Sequence, residues 1–100
     1  GIIDDSGTLV QDGETIPFCA CVHTENTTLY HDTEGQVLLA ELDYPAPVEN
    51  AEQRYLGMET TDRNSDGSSD VLLRFSQEDG TLELLFCWDP ETGAFRSVPA

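Results

Sequence analysis

The sequence contains no lysine, and its only strong cations are four arginines against 20 aspartates and glutamates in 100 residues. The formal net charge is therefore −16. Affinity for nucleic acids depends on cations that neutralise phosphates, and docking on anionic membranes depends on the same kind of charge. The scarcity of cations argues against both kinds of partner.

Long apolar runs are also missing. A transmembrane helix needs about 20 consecutive apolar residues, and no run here comes near that length. Leucine, isoleucine, valine and phenylalanine together supply 24 of the 100 residues, a little above the roughly 20% below which highly charged chains stay disordered. The sequence thus predicts one small folded domain over residues 1–100, without a transmembrane segment.

Known catalytic motifs are absent from the sequence. It has no Gly-x-Ser-x-Gly elbow, no phosphate-binding loop and no His-Glu-x-x-His pattern, and its only histidines are His23 and His31. Paired carboxylates are frequent because one residue in five is acidic. We therefore predict a protein that is not an enzyme. The alternative is a hydrolase whose site no motif reveals.

Turn-forming residues recur at short intervals, for example at 5–7, 11–13, 78–80 and 89–93. Such spacing is typical of short antiparallel strands. The intervening segments predict strands near 15–23, 27–31, 36–43, 54–60, 71–76, 81–88 and 94–98. The fold class is predicted to be all-β, a small antiparallel meander or sandwich, with at most one short helix within 45–53.

Alternating apolar residues indicate which strand faces are buried. One inward face is predicted for each of three strands: Val71, Leu73 and Phe75; Leu82, Leu84, Phe86 and Trp88; and Leu38, Ala40, Leu42 and Tyr44. The first two strands are expected to be neighbours in the core.

The strongest local motif is Asp-Arg-Asn-Ser-Asp-Gly-Ser-Ser-Asp at 62–70. Ca²⁺ takes six to eight oxygen ligands at about 2.3 to 2.6 Å, and a tight loop with a central glycine can supply them from alternate residues. The predicted ligands are the side chains of Asp62, Asn64, Asp66 and Asp70 and the backbone carbonyl of Ser68. Position 12 of the loop is Leu73, so this is not an EF-hand. The alternative is a polar turn that needs no metal.

A loop of this kind running into an apolar strand resembles the calcium loops of FG-GAP and VCBS-type β-repeats. The wider stretch from Glu34 to Phe95 is similar to a group of bacterial secreted or lipid-anchored β-domains. In that group an apolar strand after a glycine turn, here Gly35 to Leu38, precedes the loop. An aromatic strand with Trp-Asp-Pro-x-Thr-Gly-x-Phe, here Trp88 to Phe95, follows it.

The resemblance implies a function and a location. Domains of this sort resemble inhibitors of lysozyme-like peptidoglycan hydrolases, so a protein-binding or inhibitory module directed at a basic secreted or envelope protein is expected. A structural or adhesive surface domain is the alternative. The chain begins with Gly1 rather than Met, which suggests a processed or trimmed start. We expect a secreted or cell-envelope location, with any lipid anchor upstream, because millimolar extracellular calcium suits a loop of modest affinity.

Three cysteines are compatible with several arrangements. Cys19, Cys21 and His23 would share one face of a strand, and Cys87 could complete a Cys₃His zinc site. Ligands at i and i+2 on a strand are uncommon for zinc, which disfavours that metal. The cysteines could instead form a disulfide from Cys87 to Cys19 or Cys21, or all three could remain buried thiols.

Overall fold

The computed structural model describes residues 3–32, 37–61 and 67–98. These residues form eight strands and one turn of helix. In chain order they are β1 (Ile3–Gln11), β2 (Glu14–Val22), β3 (Asn26–His31), β4 (Leu38–Asp43), α1 (Ala51–Arg54), β5 (Tyr55–Thr61), β6 (Asp70–Gln77), β7 (Gly80–Asp89) and β8 (Ala94–Val98).

The strands form two four-stranded antiparallel sheets, with the orders β1-β2-β3-β4 and β5-β6-β7-β8. Both sheets contribute to one buried core, in which Phe18 and Leu29 of the first sheet join Phe75 and Phe86 of the second. Tyr44 bridges the sheets, with its ring centroid 5.8 Å from that of Phe75. The all-β prediction is confirmed, and the architecture is a sandwich.

The two sheets meet at their edges as well as across the core. At one seam, the hydroxyl of Tyr55 on β5 donates to Oδ2 of Asp5 on β1 at 2.6 Å. Nearby, the hydroxyl of Thr60 donates to the carbonyl oxygen of Thr8 at 2.6 Å. At the other seam, β4 lies against β8. Burial, followed by the hydrogen bond to Asp5, raises the pKa of Tyr55, so this phenol stays protonated and continues to donate.

The predicted inward face of β6 is confirmed, and that of β7 is confirmed from Leu82 to Phe86 but not at Trp88. Val71, Leu73 and Phe75 are fully buried, and Phe86 is 1% exposed. Leu82 and Leu84 pack against the same cluster. Trp88 is only half-buried, and its ring meets that of Phe95 edge-on at 5.2 Å. Strand β7 thus leaves the core at its aromatic end.

Strand β1 has no counterpart among the predicted strands, and the turn predicted at 5–7 is wrong. Pairing with β2 from Ile3 to Gln11 overrides the low strand preference of Asp, Ser and Gly. Packing explains why glycine stands at position 7, since a Cβ atom there would lie 3.1 Å from Cζ of Phe18. The glycine makes room for the ring of its cross-strand neighbour.

The predicted inward face of β4 is confirmed from Ala40 to Tyr44 and is wrong at Leu38. Leu42 and Tyr44 are buried, but Leu38 is 51% exposed. The pairing with β3 shifts between Leu29 and Tyr30, so Ala40 pairs with Leu29 while Leu38 pairs with Tyr30. Ala40 packs against the core as predicted, but on the other side of the bulge Leu39 rather than Leu38 packs against it.

The helix predicted within 45–53 is observed only at Ala51–Arg54. The segment before it is held in another conformation, because the Tyr44 and Val48 amides donate to the carbonyls of Glu25 and Thr24. Asn50 then adopts a left-handed backbone with φ 55°. Within the described residues, no helix is long and apolar enough to cross a membrane. The predictions at Gly1 and within 33–36, including Glu34 and Gly35, lie outside the described residues.

Candidate metal site

The predicted calcium loop connects two paired strands. Thr61 at the end of β5 is the ladder partner of Asp70 at the start of β6, so residues 62–69 connect the paired ends of two neighbouring strands. Asp62, Asn64 and Asp66 lie outside the described residues, whereas Ser68 and Asp70 lie within them. Asp62, the first predicted ligand, directly follows Thr61 in the chain, and Thr61 pairs with Asp70, the last predicted ligand.

The described part of the loop is hydrogen-bonded to the end of β1 and to the turn that follows it. The amide of Ser69 donates to the carbonyl oxygen of Val10 at 2.6 Å, and the hydroxyl of Ser69 accepts from the amide of Val10 at 2.8 Å. The Gly13 amide donates to the carbonyl oxygen of Gly67 at 3.3 Å. These bonds anchor the return of the loop to the opposite sheet, and Ser68 and Ser69 are buried there.

Asp70 is the most unusual residue of this hairpin. Its strand neighbour Val71 faces the core, so Asp70 belongs to the outer face of the sheet, yet it is only 1% exposed. Both of its carboxylate oxygens are buried, and neither has a hydrogen-bond partner among the described residues. A buried carboxylate without a partner is strongly destabilising unless a cation or a proton neutralises it.

The described arginines do not neutralise Asp70, because each is engaged elsewhere. Arg54 donates to the carbonyl oxygens of Ser76 and Glu49. Arg74 lies 3.0 Å from both Glu59 and Glu83, and its hydrogen bonds to these carboxylates raise its pKa. Arg96 pairs with Asp89 at 3.5 Å. Arg63 lies outside the described residues.

A divalent cation fits the chemistry of this hairpin end. Asp70 presents two oxygens that are shielded from water, and the neighbouring sequence carries two further aspartates and an asparagine. Hard oxygen ligands of this kind suit Ca²⁺. A bound cation would also turn the mutual repulsion of closely spaced carboxylates into attraction.

No disulfide joins the three cysteines, so the bond that the sequence allows from Cys87 to Cys19 or Cys21 is not formed. Cys19 and Cys21 lie on β2 in the first sheet, whereas Cys87 lies on β7 in the second. His23 lies beyond the end of β2, and within the described residues no group of three or more His, Cys, Asp or Glu side chains is placed to share a metal. The Cys₃His zinc site is therefore not assembled.

Carboxylates that no sequence motif indicates contact the two thiols of β2. The thiol of Cys21 donates to Oδ1 of Asp4 at 3.3 Å, and that of Cys19 donates to Oδ1 of Asp32 at 3.6 Å. Burial first, and then these carboxylates, raise the pKa of both thiols. The Asp4 contact could not be foreseen without β1, because pairing of β1 with β2 places Asp4 opposite Cys21.

A shallow groove of about 420 Å³ lies where β4 meets β8. Its apolar lining includes Leu38, Trp88 and Phe95, and Glu41 and Asp43 lie beside them. Both acids are exposed, as is Leu38. The groove therefore combines aromatic surface with negative charge, and it lies between two edge strands that each have one unpaired side in their own sheet.

The turn from β7 to β8 shapes one end of this groove and matches the predicted hairpin at 89–93. Oδ1 of Asp89 accepts the amide of Glu91 at 2.9 Å. This backbone hydrogen bond is the main cause that lowers the pKa of Asp89. Gly93 adopts a positive φ of 68°, as a glycine in such a turn is expected to do.

Comparison with known proteins identified no relative of this chain. Neither the models of known protein families nor the searches of curated proteins and of solved structures gave a match to this chain.

Proposed function

We propose that this protein is a calcium-binding β-sandwich domain whose metal lies at the end of the β5–β6 hairpin. Asp62, Asn64, Asp66 and Asp70 would contribute side-chain oxygens, and Ser68 its backbone carbonyl. The observation that carries the proposal is the Asp70 carboxylate, 1% exposed with both oxygens unpartnered among the described residues. A loop rich in oxygen ligands, closing on that carboxylate, is the arrangement that a hard cation needs.

The proposal is tested by calorimetric titration of the protein with Ca²⁺ and with Mg²⁺ after treatment with a chelator. Ca²⁺ is expected to bind with one site per chain. Mg²⁺ is expected to bind more weakly, because it demands octahedral geometry at about 2.0 to 2.1 Å. Asp70→Asn keeps the size of the side chain but removes its charge, and it should weaken Ca²⁺ binding at least about tenfold, equivalent to about 1.4 kcal/mol.

Asp79→Asn is the matched control. Asp79 is exposed in the turn between β6 and β7, so this variant makes the same change of charge and shape away from the proposed site. It should bind Ca²⁺ like the wild type. No heat of binding up to millimolar Ca²⁺ would contradict the proposal, and so would equal affinity in Asp70→Asn and the wild type.

We further propose that the domain acts by binding a basic protein rather than by catalysis, and that its binding surface is the groove between β4 and β8. Trp88 and Phe95 offer aromatic anchors, and Glu41 and Asp43 offer charge that complements a cationic partner. Aromatic side chains at the centre of an interface supply much of its affinity, whereas surrounding charge mainly accelerates association. A basic peptidoglycan hydrolase is the partner that the sequence resemblance implies.

Binding to a basic lysozyme, measured by surface plasmon resonance at low and high ionic strength, tests this second proposal. The association rate should fall with salt, since the Debye length shrinks from about 10 Å at 0.1 M to 3 Å at 1 M. The double variant Glu41→Gln/Asp43→Asn should associate more slowly than Glu78→Gln/Asp79→Asn. That control loses the same charge at the opposite end of β7.

Equal rates for the two double variants would contradict the placement of the partner in the groove. The absence of binding to, and inhibition of, lysozyme-type enzymes would instead favour the structural or adhesive alternative. A secreted or envelope location belongs to the same proposal, because calcium sites of modest affinity are filled at the millimolar concentrations found outside cells.

A further inference from the structure

Two thiols stand side by side on the outer face of the first sheet, on a different strand and sheet from the calcium hairpin. Phe18, Ala20 and Val22 of β2 point into the core, so Cys19 and Cys21 point outward. Both are half-exposed. They line a surface concavity of about 520 Å³ together with Asp4, Tyr30 and Asp32.

A disulfide between the two thiols would stand at the limit of its geometry, and none is formed. Residues i and i+2 of a strand have Cα atoms roughly 6.6 Å apart, close to the upper limit of about 6.8 Å for a disulfide. Each thiol instead donates to its own carboxylate, Cys21 to Asp4 and Cys19 to Asp32. The pair is therefore a preformed set of two sulfur ligands with two proton acceptors beside it.

The number of ligands selects the kind of ion. Within the described residues no group of three or more His, Cys, Asp or Glu side chains is placed to hold a metal, and Asp4 and Asp32 hydrogen-bond one thiol each, so these residues do not make up a four-coordinate zinc centre. Thiolates are soft ligands and favour Cu(I). A linear sulfur–copper–sulfur unit spans about 4.6 Å if each bond is close to the 2.3 Å of a zinc–thiolate bond. Two thiols therefore need to approach each other less closely to share one Cu(I) ion than to form the sulfur–sulfur bond of about 2.05 Å in a disulfide.

We propose that Cys19 and Cys21 together form a two-coordinate site for one Cu(I) ion. On binding, two sulfur–copper bonds form and two S–H bonds break. The two protons pass to solvent, and the carboxylates of Asp4 and Asp32, which accept the thiol hydrogen bonds before metal binding, are then left free. Copper remains in the +1 state throughout, so no oxidant or reductant is needed. The acidic surface favours the approach of the cation.

The test is competition for Cu(I) with the coloured chelator bicinchoninate, using the calcium-loaded protein under anaerobic conditions. The wild type should withdraw one equivalent of Cu(I) from the chelator. Cys19→Ser and Cys21→Ser should each weaken binding at least about 100-fold, since a single remaining thiolate cannot form the linear pair; this corresponds to about 2.7 kcal/mol. Cys87→Ser, which removes the thiol on the other sheet, is the matched control and should bind like the wild type.

X-ray absorption spectroscopy of the copper-loaded protein supplies a readout independent of affinity. Two sulfur neighbours and no nitrogen or oxygen neighbours are expected. Failure of the wild type to compete with the chelator would overturn the proposal. Full binding by Cys19→Ser or Cys21→Ser would do the same, as would loss of binding in Cys87→Ser. Zn²⁺ binding that is tighter than Cu(I) binding and depends on the same two cysteines would overturn the two-coordinate assignment.

Discussion

The substitution Asp70→Asn is predicted to change the stability of the domain in opposite directions with and without calcium. In the presence of a chelator, the wild type must bury a carboxylate whose oxygens have no partner among the described residues. An unpartnered buried polar group costs about 1 to 3 kcal/mol, and more if it is charged. Asparagine is neutral and of similar size, so the variant should be more stable than the wild type by on the order of 1 kcal/mol.

With calcium the order should reverse. A ligand at a hundredfold excess over its Kd stabilises the folded state by about 2.7 kcal/mol. For a domain of this size each kcal/mol raises Tm by about 4 to 8 °C, so the wild type should gain about 11 to 22 °C. The variant should gain much less, because it lacks the closing carboxylate.

Differential scanning calorimetry of both proteins, with chelator and with millimolar Ca²⁺, measures this reversal. Asp79→Asn, exposed in the β6–β7 turn, should follow the wild type in both conditions. If Asp70→Asn were less stable than the wild type with chelator as well as with calcium, the Asp70 carboxylate would not destabilise the metal-free protein. That result would mean that the Asp70 carboxylate has a stabilising partner within the protein itself.

Three further predictions concern the core and the thiols. Phe86→Ala should lower the free energy of unfolding by about 3 to 5 kcal/mol, because Phe86 is 1% exposed between the sheets; a nearly unchanged urea midpoint would contradict this. Tyr44→Phe should lower the free energy of unfolding by about 1 to 3 kcal/mol, because the buried hydroxyls of Tyr44 and Thr27 lie 2.6 Å apart and hydrogen-bond to each other. Adding Thr27→Val should recover part of this loss, as measured by chemical denaturation. Asp4→Asn should lower the raised pKa of Cys21, so that more of the thiol is ionised at mildly alkaline pH. Iodoacetamide should therefore alkylate Cys21 faster in the variant, and an unchanged rate would count against the Asp4 contact.

Much of the fold follows from local sequence signals. Strict alternation in Val71, Leu73 and Phe75 predicts a strand with one buried face, and glycine-containing turns such as 89–93 separate the strands. These signals predict the structure correctly because the alternation of strand side chains between two faces and the positive φ of glycine are local properties of the chain. The strand predicted at 94–98 accordingly has the bounds that the structure shows.

The predictions that failed concern contacts distant in sequence. Strand β1 carries Asp4, Asp5, Ser6 and Gly7, which locally favour a turn, and only pairing with β2 makes them a strand. The exposure of Leu38 depends on a bulge in the pairing of β3 with β4. The local sequence indicates neither the pairing of β1 with β2 nor the bulge between β3 and β4. Predictions from alternation and turn residues alone are therefore wrong at both places.

The candidate site, too, could be predicted from the sequence only in part. The ligand types and their spacing at 62–70 are visible in the sequence, because calcium coordination by one loop is a local pattern. The burial of Asp70 and the attachment of Ser69 to Val10 require the tertiary structure. The contacts of Cys21 with Asp4 and of Cys19 with Asp32 also arise only when strands from different parts of the first 32 residues come together.

A crystal structure of the protein grown with Ca²⁺, with anomalous scattering to identify the metal, would show whether calcium binds at the end of the β5–β6 hairpin. We predict one calcium ion at the end of the β5–β6 hairpin, with six to eight oxygen ligands at about 2.3 to 2.6 Å. A carboxylate oxygen of Asp70 is expected among those ligands. A structure at millimolar Ca²⁺ in which the Asp70 carboxylate contacts only protein groups, with no metal at this hairpin, would contradict the account.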